Sequence, residues 1–110
     1  MLFHITPRID WDAAVARGEY RAASLEAEGF IHLSTDAQWP STLQRFFRGR
    51  EGLVLLAIDP SRLTHEVRFE AADGDRFPHL YGPLDLGAVI DVRPLALGAD
   101  GLHRVVSLER

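Results

Sequence analysis

The sequence contains no cysteine and no lysine, and each absence excludes a class of chemistry. Without cysteine there is no thiol nucleophile, disulfide framework, iron–sulfur cluster or thiolate zinc site. All twelve basic side chains are arginines, so no Schiff-base lysine, lysine general base or P-loop lysine is available. The chemistry of the chain therefore depends on histidine, hydroxyl, carboxylate and arginine groups.

Long apolar runs are also absent, because no stretch reaches the roughly eighteen apolar residues of a membrane-spanning helix. The N-terminus lacks the basic start and apolar segment of an export signal. We therefore expect a soluble, cytoplasmic protein that contacts no membrane. The net charge of −4 argues against extended nucleic acid as a partner. The 110 residues are enough for one domain, residues 1–110, with a single core.

Strand and helix patterns alternate in the first half of the chain. A strand is predicted at 2–6, followed by a helix over 10–18 that ends at its glycine. A second strand, 30–34, leads to a second helix over 39–48. The dense apolar run 53–58 predicts a central buried strand.

Strands dominate the second half. Alternation over 65–70 predicts an edge strand, whereas the two prolines of 77–83 predict a loop or strand end that presents side chains. Two closing strands are predicted at 86–92 and 101–107, with a link marked by Pro94 and Gly98. This order predicts an α+β fold with two main helices and a mixed or mostly antiparallel sheet.

Two histidines occupy matching positions on the first two predicted strands. His4 and His32 are each followed two residues later by a hydroxyl side chain, Thr6 and Ser34, so period two places ring and hydroxyl on one face. A buried imidazole needs a backbone group, a metal or a ligand as its partner. A third histidine, His79, lies in the segment FPHLYGP. Each histidine alone fits a structural role, but together they indicate a site.

Two enzymatic alternatives use the same side chains. A histidine-ligated metal hydrolase requires nitrogens of His4, His32 and His79 to converge within about 4 Å of one point. No close HxH or HxxxH pair is present, so we expect no metal cofactor. A serine hydrolase is disfavoured because Ser34 lies outside any GxSxG turn.

The segments LFHIT, GFIHLS and FPHLYGPL together resemble a small bacterial and plant family, the domain of unknown function 952, over essentially the whole chain. That family is grouped by fold with the ADP-ribosyltransferases, most closely with those that carry a histidine on each of the first two motif strands. The resemblance implies an ADP-ribosyltransferase-like fold, in which a split β-sheet surrounds a cleft that holds NAD in a bent shape.

The resemblance also implies roles for individual residues. His4 and His32 are the expected catalytic residues, with His4 on the ribose of the cofactor. Phe77 or Tyr81 is expected to offer an aromatic face to the nicotinamide ring. Arg8, with Arg45 behind it, is expected to hold the acceptor. The expected NAD-binding residues are His4, Thr6, His32, Ser34, Thr35, Phe77, His79 and Tyr81.

One feature of these transferases is missing from the expected place. Many carry a glutamate on a late strand, whereas the segment around His79 has none, and Glu66 and Glu70 lie on the predicted edge strand. Without that glutamate, the reaction suits an acceptor that brings its own charge, such as a phosphate. We therefore expect a protein that binds NAD or a related nucleotide and transfers ADP-ribose to a small or phosphorylated acceptor. The alternative is a non-catalytic module that binds a small ligand on the same fold.

Overall fold

A computed structural model describes residues 1–106, in which the most buried element is the apolar strand β4 (Leu53–Ile58). All six of its side chains are buried, because sheet neighbours flank it and both of its faces are covered. This confirms the prediction of a central strand. The strands of its antiparallel sheet are, in spatial order, β3 (Ser34–Thr35), β1 (Leu2–Pro7), β4, β7 (Val89–Leu97) and β8 (His103–Val105).

A second, three-stranded antiparallel sheet has the order β2 (Ile31–His32), β6 (Asp75–Leu80), β5 (Val67–Ala72). Among residues 1–106, strand β5 pairs only with β6 and is therefore an edge strand, as predicted. Asp73 and Gly74, both at positive φ, form the tight turn between β5 and β6. All strand pairings within residues 1–106 are antiparallel, which confirms an α+β fold with an antiparallel sheet structure.

Three α-helices lie between the early strands. Helix α1 (Arg8–Arg17) follows β1 directly, two residues earlier than predicted, and ends at Gly18, whose φ of 88° suits a residue without a side chain. Helix α2 (Ala23–Glu28) is an element beyond the two main helices predicted. Helix α3 (Trp39–Phe47) carries its proline in the first turn, where no backbone N–H is needed.

The predicted single strand over 30–34 is wrong, because the chain changes sheets at Leu33. Ile31 and His32 pair with β6, whereas Ser34 and Thr35 pair with β1. Leu33 is buried at the crossing, and its N–H donates to the carbonyl of a β6 residue at 3.0 Å. A period-two pattern gives the faces of a strand but not its partner, so it does not reveal this exchange.

The segment 77–83, expected as a loop or strand end, supplies the last residues of β6 as far as Leu80, whereas most of the expected link belongs to β7. Pro78 lies inside β6 and Pro94 inside β7. The carbonyl of Pro78 accepts from Leu33 N–H at 3.0 Å, and that of Pro94 accepts from Val106 N–H at 2.9 Å. The nitrogen and the C=O group of a strand residue point to the same side of the strand. Each proline nitrogen therefore faces the chain just beyond the end of a neighbouring strand, where its missing N–H breaks no ladder hydrogen bond. Neither proline interrupts the longer ladder on its other side.

The closing strands differ in their bounds from the prediction. Residues 86–88 form a short 3-10 turn, and β7 begins only at Val89 and continues through the expected link. The last strand covers His103–Val105, and residue 107 of the predicted strand lies outside the described residues.

The core has two parts, one on each face of the five-stranded sheet. Leu53, Leu55 and Ala57 of β4 face Leu43 of α3. The alternate positions of β4 face a larger cluster that includes Ile31 and Leu80 of the three-stranded sheet. The fully buried leucine and isoleucine side chains each stabilise the fold by about 1.5–3 kcal/mol relative to exposure. This packing holds the two sheets against each other.

Candidate functional site

His4 lies on β1, where its ring is almost completely buried. Its Nδ1 is 2.7 Å from the carbonyl oxygen of His32, and its Nε2 is 2.8 Å from the hydroxyl of Tyr20. The Tyr20 hydroxyl is also 2.9 Å from Oγ1 of Thr6. His4 therefore ties the first strand to the crossing between the sheets and to the segment before α2.

Burial lowers the pKa of His4 from 6.5 to about 4, so the ring is neutral at neutral pH. A carbonyl only accepts, so Nδ1 carries the proton and Nε2 accepts from the Tyr20 hydroxyl. The Thr6 hydroxyl then donates to the oxygen of Tyr20. Burial also raises the pKa of Tyr20, so the phenol keeps its proton. Both nitrogens of His4 are thus engaged within the protein.

A pocket of about 340 Å³, which we name the histidine pocket, lies between the two sheets and α3. Five residues expected from the sequence line it: His4, His32, Ser34, Phe77 and His79. The remaining lining residues are Ile5, Leu33, Thr42, Phe46, Phe47, Ala72 and Asp73. The walls are mainly apolar and aromatic, with few polar groups, as is typical of small-molecule sites.

His79 is the lining residue with a buried, unpartnered nitrogen. Its ring, 4% exposed, stacks on Phe30 with ring centroids 4.0 Å apart, and its Nδ1 is 2.9 Å from a carboxylate oxygen of Glu70. Its Nε2 is buried and is, within residues 1–106, the one buried side-chain nitrogen or oxygen without a hydrogen-bond partner. A hydrogen-bond donor of a ligand is one partner that such a buried nitrogen can take.

Glu70 contacts the site, although the sequence predicts it on an edge strand. Its carboxylate accepts hydrogen bonds from the Tyr81 hydroxyl and from Nδ1 of His79, and these bonds lower the pKa of Glu70, the bond from Tyr81 most. The register explains the contact, because Arg68 of β5 lies opposite His79 and Glu70 follows on the same face. A hairpin register drawn from the Asp73–Gly74 turn would have revealed it.

The other predicted residues lie outside the histidine pocket. Thr6 contacts Tyr20, and Thr35 donates its N–H to the side chain of Gln38 at 3.0 Å. The guanidinium of Arg68 lies over Tyr81, with its central carbon 4.4 Å from the centroid of the tyrosine ring. The contacts predicted for these three residues remain predictions.

The two arginines expected to hold an acceptor are surface residues. Arg8 is 3.8 Å from Asp12 in an exposed ion pair. Arg45 lies over the ring of Phe46, 5.2 Å from its centroid. Neither lines the histidine pocket or the second pocket described next.

A second pocket of about 410 Å³, the arginine pocket, has a different character. Arg17 and Arg21 line it together with Thr6 and Tyr20, and it shares His4 with the histidine pocket. Its guanidinium and hydroxyl groups suit an anion such as phosphate, although the carboxylate of Asp10 also lines it.

The convergence that a metal hydrolase requires is not found in residues 1–106, where no three histidine, aspartate or glutamate side chains form a group that could hold a metal ion. His4 offers no lone pair, since protein groups engage both of its nitrogens. Within the same residues, no helix has the length and apolar character needed to cross a membrane.

Fold and site define a small α+β domain in which two antiparallel sheets enclose a pocket lined by histidines. The chain belongs to the family described as protein of unknown function DUF952, whose model matches residues 5–92. It is similar to the crystal structure of protein CC0527 from Caulobacter crescentus, at 42% identity over 94% of this chain and 92% of that one, with a TM-score of 0.85. The solution NMR structure of CC0527 matches at 43% identity over 91% and 88%, with a TM-score of 0.79. No curated protein matches the chain.

Proposed function

We propose that the protein binds NAD or a related nucleotide in the histidine pocket. The observation that carries the proposal is Nε2 of His79, a buried nitrogen without a protein partner in a residue that lines this pocket. A buried polar atom that lacks a hydrogen bond costs about 1–3 kcal/mol. A ligand that donates to this nitrogen recovers that energy, whereas a purely apolar ligand does not.

The size and walls of the pocket support a planar ring with a sugar attached. Its volume of about 340 Å³ lies at the small end of ligand sites and suits the nicotinamide riboside half of NAD. Phe46, Phe47 and Phe77 contribute aromatic surface to the walls. Aromatic faces attract cations, so they favour the positively charged nicotinamide ring of NAD.

The arginine pocket supports the other half of the nucleotide. The charges of Arg17 and Arg21 suit a pyrophosphate, and His4 and Ile5 line both pockets. A bent dinucleotide would place its nicotinamide half in the histidine pocket and its phosphates in the arginine pocket. As part of this proposal we assign the fold to the ADP-ribosyltransferase-like group, which the two sheets around one pocket support.

Transfer of ADP-ribose to a small or phosphorylated acceptor is the activity that we propose to follow from binding. Release of nicotinamide from NAD by the purified protein measures it directly. A non-catalytic binding module is the second candidate. It is favoured because both nitrogens of His4 are engaged within the protein and are not free for catalysis. It is also favoured because the lining residues offer a single carboxylate, that of Asp73.

A pocket-filling substitution tests the binding site. Ala72 lines the histidine pocket, whereas the adjacent Ala71 is exposed and, by the alternation of the strand, points to the other face. We expect NAD to give saturable amide shifts at pocket residues in NMR spectra of the natural protein. Ala72→Phe should weaken binding at least about tenfold, and Ala71→Phe should leave it unchanged.

Two results would contradict this proposal. One is the absence of shifts at millimolar NAD. The other is equal weakening by the two substitutions, which would place the ligand elsewhere. AMP, ADP-ribose and nicotinamide, titrated separately, identify which part of the nucleotide contributes the affinity.

A further inference from the structure

We propose that His79, oriented by Glu70, selects the ligand by its uncharged hydrogen-bond donor. Nε2 of His79 accepts a hydrogen bond from an amide or hydroxyl group, so the pocket binds the nicotinamide form of a ligand in preference to the corresponding carboxylic acid. This inference rests on the proposed function and names the ligand class of the same pocket.

The partner of Nδ1 determines what Nε2 can do. Nδ1 of His79 is 2.9 Å from Oε1 of Glu70. An ionised carboxylate only accepts hydrogen bonds, so the proton of the neutral ring lies on Nδ1. Nε2 then carries a lone pair, which accepts a hydrogen bond from an amide or hydroxyl and repels a carboxylate oxygen.

The ring is held in this orientation from several sides. Phe30 stacks against it with an interplanar angle of 17°. His32 and Arg68 lie directly opposite it on the two neighbouring strands. Glu70 is itself fixed by the Tyr81 hydroxyl, so the acceptor is positioned before a ligand arrives.

The charges around the pocket favour the same selection. Hydrogen bonds from Tyr81 and His79 lower the pKa of Glu70, which keeps its carboxylate ionised at neutral pH. Asp73 lines the same pocket, and no arginine is among the lining residues. An anionic group placed in the histidine pocket therefore meets the charge of Asp73 with no arginine among the lining residues to neutralise it. The pocket is suited to an uncharged donor.

Matched ligand pairs test the inference on the natural protein. Nicotinamide is compared with nicotinic acid, and NAD with nicotinic acid adenine dinucleotide, at a mildly alkaline pH where all four have fixed charge. We expect the amide of each pair to bind at least about tenfold more tightly, because a site built to receive a donor rejects the analogue that lacks it. In ¹⁵N spectra of histidine side chains, Nε2 of His79 should be unprotonated and should shift when the amide binds.

Three substitutions distinguish the effect of the Nε2 acceptor of His79 from the effects of neighbouring carboxylates. His79→Phe keeps a ring against Phe30 and removes both nitrogens, so NAD should bind about tenfold more weakly and the preference for the amide should disappear. Glu70→Gln should reduce the preference and alter the proton distribution of His79 in the ¹⁵N spectrum. Glu66→Gln is the matched control, because the Glu66 carboxylate pairs with Arg68 and not with His79, and it should change neither.

The outcomes distinguish this inference from the proposed function. Tighter binding of the acid, or equal binding of amide and acid with shifts at pocket residues, overturns the selection by His79 while ligand binding stands. A proton found on Nε2 in the free protein also overturns it. No shift at any pocket residue overturns the proposed function and this inference with it. If His79→Phe does not fold, the ligand pairs and the ¹⁵N spectrum of the natural protein decide.

Discussion

Mild acidification should destabilise the protein because of one buried histidine. The pKa of His4 is lowered from its ordinary value of 6.5 to about 4 in the folded state, chiefly by burial. Between these values the unfolded chain binds a proton at His4 that the folded protein does not bind. The free energy of unfolding therefore falls as the pH drops from above 6.5 toward 4.

The size of this effect follows from the two pKa values. Linkage gives a loss of about 1.3 kcal/mol from His4 between about pH 7.5 and pH 5.5. The carboxylates of Glu70 and Asp75 have lowered pKa values, so their contribution to stability is present at high pH and is lost only below the ordinary carboxylate range. The window above about pH 5.5 therefore reports on histidines rather than on these acids.

Urea unfolding followed by tryptophan fluorescence measures the effect at several pH values in this window. His4→Gln removes the titrating ring and can still donate to the carbonyl of His32 and accept from Tyr20. His65→Gln is the control, because His65 is exposed. Natural protein and control should lose about 1.3 kcal/mol more on acidification than His4→Gln does. An equal loss in all three proteins would refute the assignment of this pH dependence to His4.

Two further substitutions test the packing around the site by the free energy of unfolding. Tyr20→Phe removes the hydroxyl that donates to Nε2 of His4, and we expect it to destabilise the fold by about 1–3 kcal/mol; no loss would mean that this buried chain of hydrogen bonds is not formed. Gly82→Ala places a methyl group against the ring and Cβ of His65 and should cost about 1–3 kcal/mol. Gly87→Ala, where the methyl group meets open space, should change stability by less than about 0.5 kcal/mol, and equal effects at the two glycines would contradict the predicted overlap.

Local sequence patterns predicted those parts of the fold that depend on one segment at a time. The apolar run of β4 gives a central strand because every side chain must be covered on both faces. The exchange of sheets at Leu33 was missed because partner choice depends on distant strands. Pro78 and Pro94 predict interruptions, yet the nitrogen of each faces the chain just beyond the end of a short neighbouring strand. Whether a strand tolerates a proline depends on which side of the strand is paired along its length. That pairing involves distant residues, so no local sequence pattern predicts it.

The candidate site shows the same division. His4, His32 and His79 were identified because a histidine in an apolar strand is conspicuous, and all three line one pocket. The sequence predicts Glu70 on an edge strand, because its alternation with apolar residues is typical of a half-exposed strand. Its contact with His79 arises from the register of the hairpin, which brings residues nine positions apart onto one face.

Hydrogen-bond partners, rather than sequence motifs, distinguish the three histidines. His4 shares its strand motif with His32, but both of its nitrogens serve the fold, and its low pKa makes it a contributor to stability. The ring of His32 is half-exposed and contacts Glu28 at 3.0 Å, where water competes with any ligand. Only His79 combines burial, a carboxylate that fixes its proton and a free nitrogen. A ligand-binding role therefore follows most directly for the histidine whose bonding is incomplete, because that is where a ligand adds an interaction that the folded chain does not already supply.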